Sequence, residues 1–234
     1  MKSTIQDKTK IVNSVFSDVF ENYDLMNDIM SLGIHRIWKE KLIDWMRPLS
    51  NKKLIDVASG TGDVVKLFLT KTNGLNEITC VEPNIKMLEK GKQKLKKYKS
   101  ITWINSMAER IPVKSNSFDY YTISYGIRNV SDINSTLKEA YRVLKPGGRF
   151  MCLEFSKVNN EMINFLYKQY SKAIPIIGKF IVGSEKPYEY LIESIDKFYN
   201  QEELVKLMKI NGFSNIEFRN LTNGISAIHS GWKI

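Results

Sequence analysis

The run Leu54-Ile55-Asp56-Val57-Ala58-Ser59-Gly60-Thr61-Gly62-Asp63 carries an apolar stretch into an acid, then a turn of small residues, then a helix-like pattern. Glycines at a strand-to-helix turn let a flat ligand reach the backbone where side chains would block it. At a spacing of 22 residues from Gly60, closing the apolar run Ile78-Thr79-Cys80-Val81, stands Glu82. An acid there can accept both ribose hydroxyls of an adenosine-containing ligand. The pair reads as a nucleoside pocket. Ala58, Gly60 and Gly62 spell A-x-G-x-G, not the dinucleotide G-x-G-x-x-G, and no third glycine follows to admit a pyrophosphate. Asp63 places negative charge at the helix start, which suits the dipole and repels phosphate. It would suit a cationic ligand such as the amine and sulfonium of S-adenosylmethionine. A dinucleotide is the second reading, and a plain strand–turn–helix corner without a ligand the third.

The elements that must position these residues alternate from residue 50 onward. Strand-like runs occur at 53–57, 77–82, 100–105, 118–124 and 149–155, with helical stretches near 63–71, 84–97 and 133–144. Ile133, Leu137, Ala140, Tyr141 and Leu144 fall on one face, and Lys145-Pro146-Gly147-Gly148 reads as a helix stop. Strands alternating with helices imply a parallel sheet with helices on both faces. Asn200 with Glu203 resembles a capping box ahead of Leu204, Leu207 and Met208, with Gly212 as the end. The last two runs, 214–221 and 225–230, are divided by Asn223-Gly224, a hairpin signal that makes them antiparallel. The expected architecture is α/β: a Rossmann-like, mostly parallel seven-stranded sheet ending in an antiparallel hairpin.

A chain of 234 residues suits a single domain, 1–234, with residues 1–50 as an N-terminal helical cap on the substrate side. Asp24, Asn27 and Ser31 are available there as caps or turn formers. Residues 157–199 form an apolar helical insertion holding Phe165, Leu166, Tyr167, Tyr170, Ile174 and Phe180. Ordinary packing accounts for most of these side chains, and a greasy cover for a lipophilic substrate is the functional reading. Lys168, Lys172 and Lys179 among them suit a helix lying at a membrane interface.

Apolar content of 43% reads as a soluble globular protein, and the polar N-terminus is no secretory signal. Cys80 and Cys152 have neither metal nor redox spacing and read as buried reduced thiols, which suits a cytoplasmic location. No His/Cys/carboxylate cluster implies a metal. The net charge of +10 is largely lysine spread along the chain. Its densest run, Lys86 to Lys99, reads as a solvated helix face whose inward stripe is Ile85, Leu88 and Leu95. Without an aromatic-interleaved basic groove, no nucleic-acid partner is expected, and a weak attraction to anionic lipid fits better.

Tyr23-Asp24-Leu25-Met26-Asn27-Asp28-Ile29-Met30-Ser31-Leu32-Gly33-Ile34-His35-Arg36-Ile37-Trp38-Lys39 resembles the N-terminal signature of the ubiquinone/menaquinone biosynthesis C-methyltransferases, class I S-adenosylmethionine-dependent enzymes, and the resemblance extends along nearly the whole chain. Thr122-Ile123-Ser124-Tyr125-Gly126-Ile127-Arg128-Asn129-Val130, Leu153-Glu154-Phe155-Ser156 and the C-terminal Ala227-Ile228-His229-Ser230-Gly231-Trp232-Lys233 agree with it. The resemblance implies methyl transfer from S-adenosylmethionine to a ring carbon of a prenylated benzoquinol or demethylmenaquinol. Gly60 and Thr61 of the loop, Glu82 for ribose, Met107 and Ala108 beside adenine, and Ser124 at the end of strand four carry over as cofactor residues. The family more often shows Gly at 59, Asp at 82 and Asn at 107, so only the backbone of Met107 can serve adenine.

A neutral ring carbon is a poor nucleophile, and deprotonating the neighbouring hydroxyl, whose pKa starts near 10, puts charge on the ortho carbon. Arg128 beside that oxygen and Asn129 orienting it are the catalytic candidates, against a surface salt bridge and a helix cap. His35 and His229 are candidate bases, with water as the alternative. Expected partners are the prenylated quinol, a peripheral contact at the inner face of the membrane, and either a homodimer or a quinone-biosynthesis assembly. The alternatives are methylation of another lipophilic phenol, or a non-catalytic quinone-binding scaffold.

Overall fold

Leu54-Ile55-Asp56-Val57 is apolar on both sides of its backbone because it lies at the centre of a sheet. Leu54 packs into one core layer, and Ile55 and Val57 into the other. The computed structural model describes residues 28, 31, 33–158, 161, 162, 169, 170, 174, 175, 179 and 185–234. The strands are β1 (Leu54–Val57), β2 (Ile78–Val81), β3 (Ile101–Ile104), β4 (Phe118–Ser124), β5 (Leu144–Phe155), β6 (Ser214–Leu221) and β7 (Ser226–Trp232). They form one seven-stranded sheet in the order β3-β2-β1-β4-β5-β7-β6. The first five are parallel, and β7 runs antiparallel between β5 and β6. This is the expected mostly parallel sheet with an antiparallel hairpin.

Period-2 alternation sends neighbouring side chains to opposite layers. Tyr120 and Met151 join one cluster, and Tyr121 and Phe150 the other. Helices α1 (His35–Met46), α2 (Asp63–Lys71) and α5 (Lys186–Lys197) bury Trp38, Leu42, Phe68, Tyr188 and Leu191 on the first face. Helices α4 (Ile133–Val143) and α6 (Gln201–Ile210) bury Leu137, Ala140, Leu204 and Met208 on the second. Helix α3 (Ile85–Lys94) starts at Asn84, whose side chain accepts from the amides of Lys86 and Met87. Asp132 caps α4, and Asn200 with Glu203 forms the full capping box of α6. Each such cap contributes about 1 kcal/mol.

Four local expectations change. Ile85 is 54% exposed, because the first helical position faces out once Met87, Leu88 and Gly91 take the inner stripe. Lys94 is no solvated bystander, since its Nζ bonds Thr61 Oγ1 (3.2 Å) and Asp63 Oδ1 (2.6 Å). The Lys145–Gly148 segment does more than end α4. Lys233 clamps it through Gly147 N–H (2.7 Å) and Gly148 O (3.0 Å), so β5 starts at Leu144. The hairpin turn also spans more than two residues, with Thr222, Asn223 and Gly224 all at positive φ (46°, 55° and 93°). Asp24, Asn27, Phe165, Leu166, Tyr167, Lys168, Lys172 and Phe180 lie outside the described residues.

Candidate functional site

The strand order reverses between β1 and β4, and a crevice opens at the carboxyl ends of strands that meet at such a point. Its walls are the two exits, Ala58–Gly62 after β1 and Tyr125–Asn129 after β4. Ala58 and Tyr125 both take positive φ (52° and 56°), a conformation that costs a non-glycine residue of order 1 kcal/mol or more. The loops pack back to back, and a Cβ on Gly126 would meet the Cβ of Ala58 at 2.5 Å. Gly62, at φ +82°, is equally enclosed, since a Cβ there would meet Leu95 at 2.6 Å.

Lys39, Asp56, Ala58, Ser59, Gly60, Thr61, Asp63, Val64, Ser124 and Tyr125 line the cleft. Its enclosed part holds about 20 Å³, little more than a water molecule needs, so a nucleoside would extend over the open exits of β2 and β3. Glu82 stands behind the glycine loop. One carboxylate oxygen accepts from Gly60 N–H at 2.8 Å and the other from Asn84 N–H at 2.9 Å. Burial raises its pKa to about 7 against the pull of those two amides. Burial likewise raises Asp56 to about 7, although Thr122 donates to it at 2.6 Å and Lys39 lies near.

Asp63 behaves in the opposite way. Burial pushes its carboxyl up, but Lys39 (2.8 Å) and Lys94 (2.6 Å) overcome that and hold it well below the usual carboxylate range. The acid that repels phosphate in the sequence reading is therefore doubly neutralised. Asp56 is left as the buried acid of the cleft lining that makes no ion pair among the described residues. Ser124 Oγ is buried in the cleft wall and has no hydrogen-bond partner among the described residues, while Ser59 lies against the Cys80 thiol. Such an orphaned polar atom fits a site that a polar ligand completes.

Gly60, Thr61 and Ser124 thus meet in one cleft, with Glu82 bonded to its loop. Met107 and Ala108 follow β3 on the same edge of the sheet but do not line the enclosed part. Asn105 aligns that exit by donating to the carbonyls of Glu82 (2.9 Å) and Pro83 (2.8 Å). Arg128 and Asn129 occupy a single 3-10 turn after β4. Arg128 is buried, and its Nη1 donates to Glu154 Oε1 (2.6 Å) and to the Tyr125 carbonyl (2.8 Å). Asn129 Nδ2 donates to the same carbonyl at 3.4 Å, and its Oδ1 accepts from Tyr190 of α5 at 3.1 Å.

The histidines part company. His229 is buried in β7 against Phe218, bonds Gln201 O at 3.1 Å, and is held neutral by burial, with its pKa near 4. His35 Nε2 meets Asp28 Oδ1 at 2.9 Å, and its Nδ1 has no partner among the described residues. Burial pushes its pKa down, and Asp28 opposes this. Lys39, one turn on, is the cleft residue that sequence reasoning missed, because its partner is distant in the chain. Asp56 was visible as the lone acid in an apolar strand.

A model of the ubiE/COQ5 methyltransferase family matches residues 2–233. A ubiquinone/menaquinone biosynthesis C-methyltransferase from Rickettsia bellii is 48% identical over 100% of this chain and 96% of its own length. A mitochondrial 2-methoxy-6-polyprenyl-1,4-benzoquinol methylase from Dictyostelium discoideum is 44% identical over 98% of this chain and 83% of its own. Among solved structures, a SAM-dependent methyltransferase from Thermotoga maritima superposes with a TM-score of 0.66 at 22% identity, covering 94% of this chain and 99% of that one. At that identity the likeness shows the fold alone.

Proposed function

This chain belongs to the ubiE/COQ5 methyltransferase family, and from that premise we propose how its residues carry out S-adenosylmethionine-dependent C-methylation of a prenylated quinol. Benzoquinol and demethylmenaquinol rings both fall within this proposal. When bound, S-adenosylmethionine supplies an electrophilic methyl group. The observation that carries the site reading is Glu82, a buried carboxylate bonded to the glycine loop at the exit of β2. Each carboxylate oxygen keeps a lone pair beside its backbone bond, enough for two ribose hydroxyls. Gly60 and Thr61 form the close-approach loop. Ser124 closes the end of β4, and Met107 and Ala108 flank adenine through the backbone. Asp56, ionised, would accept the amine.

On the substrate side, Arg128 and Asn129 are proposed to orient the quinol hydroxyl. The bond to Glu154 leaves the pair close to neutral, so Arg128 acts by direction more than by net charge. The ring carbon gains the methyl group and loses its proton. His35, with Nε2 held by Asp28, is the proposed acceptor of a proton. His229 is not assigned that role, because it sits within β7 with Phe218 against its ring and Gln201 O on its Nε2. Residues 1–50 and 157–199 are proposed as the cover within a single domain, 1–234. In support, Lys39 of α1 reaches Asp63, and Ser194 and Tyr190 of α5 reach Arg128 and Asn129. Among the described residues no helix is long and apolar enough to cross a membrane. A prenylated substrate then supports a peripheral contact with the bilayer, placed here at its cytoplasmic face. A homodimer or a larger biosynthetic assembly is the remaining partner proposal.

The test is methyl transfer from labelled S-adenosylmethionine to reduced demethylated benzoquinol and naphthoquinol, side by side. Labelled product on either ring is the expected result. Cofactor binding without transfer to either ring would refute the quinol reading.

A further inference from the structure

A second concavity, of about 510 Å³, lies between the C-terminal half of α1 and the outer strands of the sheet. It is lined by Lys41, Arg47, Arg149 and Arg219, with Asp44 as the one acid in the lining. Asp44 is paired with Lys71 at 2.9 Å and attracts Lys41 more weakly. Lys41, Arg47 and Arg219 have no carboxylate within ion-pair distance among the described residues. Arg149 is only 8% exposed. Its Nε donates to Ser230 Oγ (2.8 Å) and its Nη1 to the Trp45 (2.9 Å) and Met46 (3.3 Å) carbonyls, while Nη2 has no acceptor among the described residues. Trp45 organises the site, with the guanidinium carbons of Arg219 and Arg149 at 4.2 Å and 5.3 Å from its ring centre. Trp232 lies 5.0 Å from Arg149 on β7.

Four cations around one hollow repel each other, and burying a guanidinium without a directly ion-paired carboxylate is costly. Glu217 on β6 acts favourably on Arg149, but burial, Arg219 and Arg47 outweigh it and lower its pKa. Stacking on indole fixes the forks in place before any ligand arrives, and arginine forks match the oxygens of a phosphate. Leu221 and Ile228 add an apolar flank suited to the carbon portion of an ester. We propose that this groove binds a phosphate ester, with Arg149 and Arg219 as the fork and Lys41 and Arg47 as the rim. The groove is separate from the methyl-transfer cleft and does not depend on that reading. Helix α1 lines both, for Lys39 faces the cleft and Lys41 and Trp45 the groove.

The ester is either a phospholipid headgroup or a free phosphate ester, and two probes separate them. The full chain is titrated calorimetrically with inorganic phosphate and glycerol 3-phosphate. It is also sedimented with phosphatidylglycerol–phosphatidylcholine vesicles against phosphatidylcholine alone. Arg219→Glu and Lys41→Glu are compared with Lys96→Glu, an exposed lysine elsewhere with the same change in net charge. Adenosylhomocysteine binding within twofold of wild type reports that each variant is folded. Saturable binding weakened about tenfold or more by each groove variant, and less than twofold by Lys96→Glu, is the expected result. Loss confined to vesicles assigns a headgroup, and loss in calorimetry with competition against vesicles assigns a free ester. No saturable binding of either probe, or an equal loss in Lys96→Glu, overturns the proposal.

Discussion

Replacing Glu82 by Gln changes one atom at the centre of the proposed cofactor site. The carboxylate accepts from Gly60 N–H and Asn84 N–H at once. A carboxamide can accept only through its oxygen, so one of those amides must face an NH2 group. Leaving a buried donor unmet costs about 1–3 kcal/mol, and a hydrogen bond to a charged group contributes roughly 1.5–3 kcal/mol. A net loss of about 1.5–3 kcal/mol in cofactor binding is a rise in Kd of roughly 10- to 150-fold. Because burial raises Glu82 to about 7, the ligand's hydroxyl donors must also favour its ionised form. Near pH 6 only about a tenth of such a group is ionised, so wild-type affinity should fall about tenfold from pH 8 to pH 6 on this account alone. Asp56 titrates in the same range and adds its own share. Calorimetry with adenosylhomocysteine at pH 6, 7 and 8 measures both quantities. The variant should bind more weakly at pH 8 and lose part of the pH slope. A Kd within threefold of wild type at pH 8, with the slope unchanged, would refute the ribose assignment.

Both raised carboxyls favour the folded state fully below about pH 4, and that contribution disappears as pH rises through 7. The rise in Tm produced by S-adenosylmethionine should therefore be larger at pH 8 than at pH 6, as scanning calorimetry would show. Lys39→Met leaves Asp63 with Lys94 alone, and urea melts should show a loss of about 1–2 kcal/mol, an unchanged midpoint counting against the triad. Arg128→Ala strands a carboxylate that is 1% exposed, with an expected loss of about 3–5 kcal/mol. Adding Glu154→Gln should recover much of that stability without recovering methyl transfer. Recovered transfer would reduce Arg128 to a structural role. His229 is depressed to about 4, so its contribution is present above pH 6.5 and lost as pH falls toward 4. His229→Gln should flatten the fall in Tm across that window while quinol methylation at pH 7.5 persists.

The two core layers were legible because the signals that form them are local. Alternating runs, the Gly60–Gly62 turn, the Asn200–Glu203 box and the Asn223-Gly224 turn each act over a few residues, and strand–helix alternation left few topologies to consider. Glu82 was legible for the same reason, as an acid at a strand end. Which charges remain available in the cleft was a different matter. Asp63 at a helix start reads locally as free charge, yet it is closed by Lys39 and Lys94, 24 and 31 residues away. Arg128 meets Glu154 across 26 residues, and the groove joins Arg149 to Trp45 across 104.

The sequence by itself determined the alternation of strands and helices, the mostly parallel sheet and its antiparallel end hairpin, and it pointed to the Gly60–Gly62 loop with Glu82 as the proposed nucleoside site, because periodicity, caps and turns are properties of neighbouring residues. Only the tertiary structure decided that Asp63 is neutralised, that Arg128 is held by Glu154, and that four cations surround a hollow with one acid already paired elsewhere. Those are pairings between side chains far apart in the chain, and they exist only after the backbone has brought separate strands and helices together.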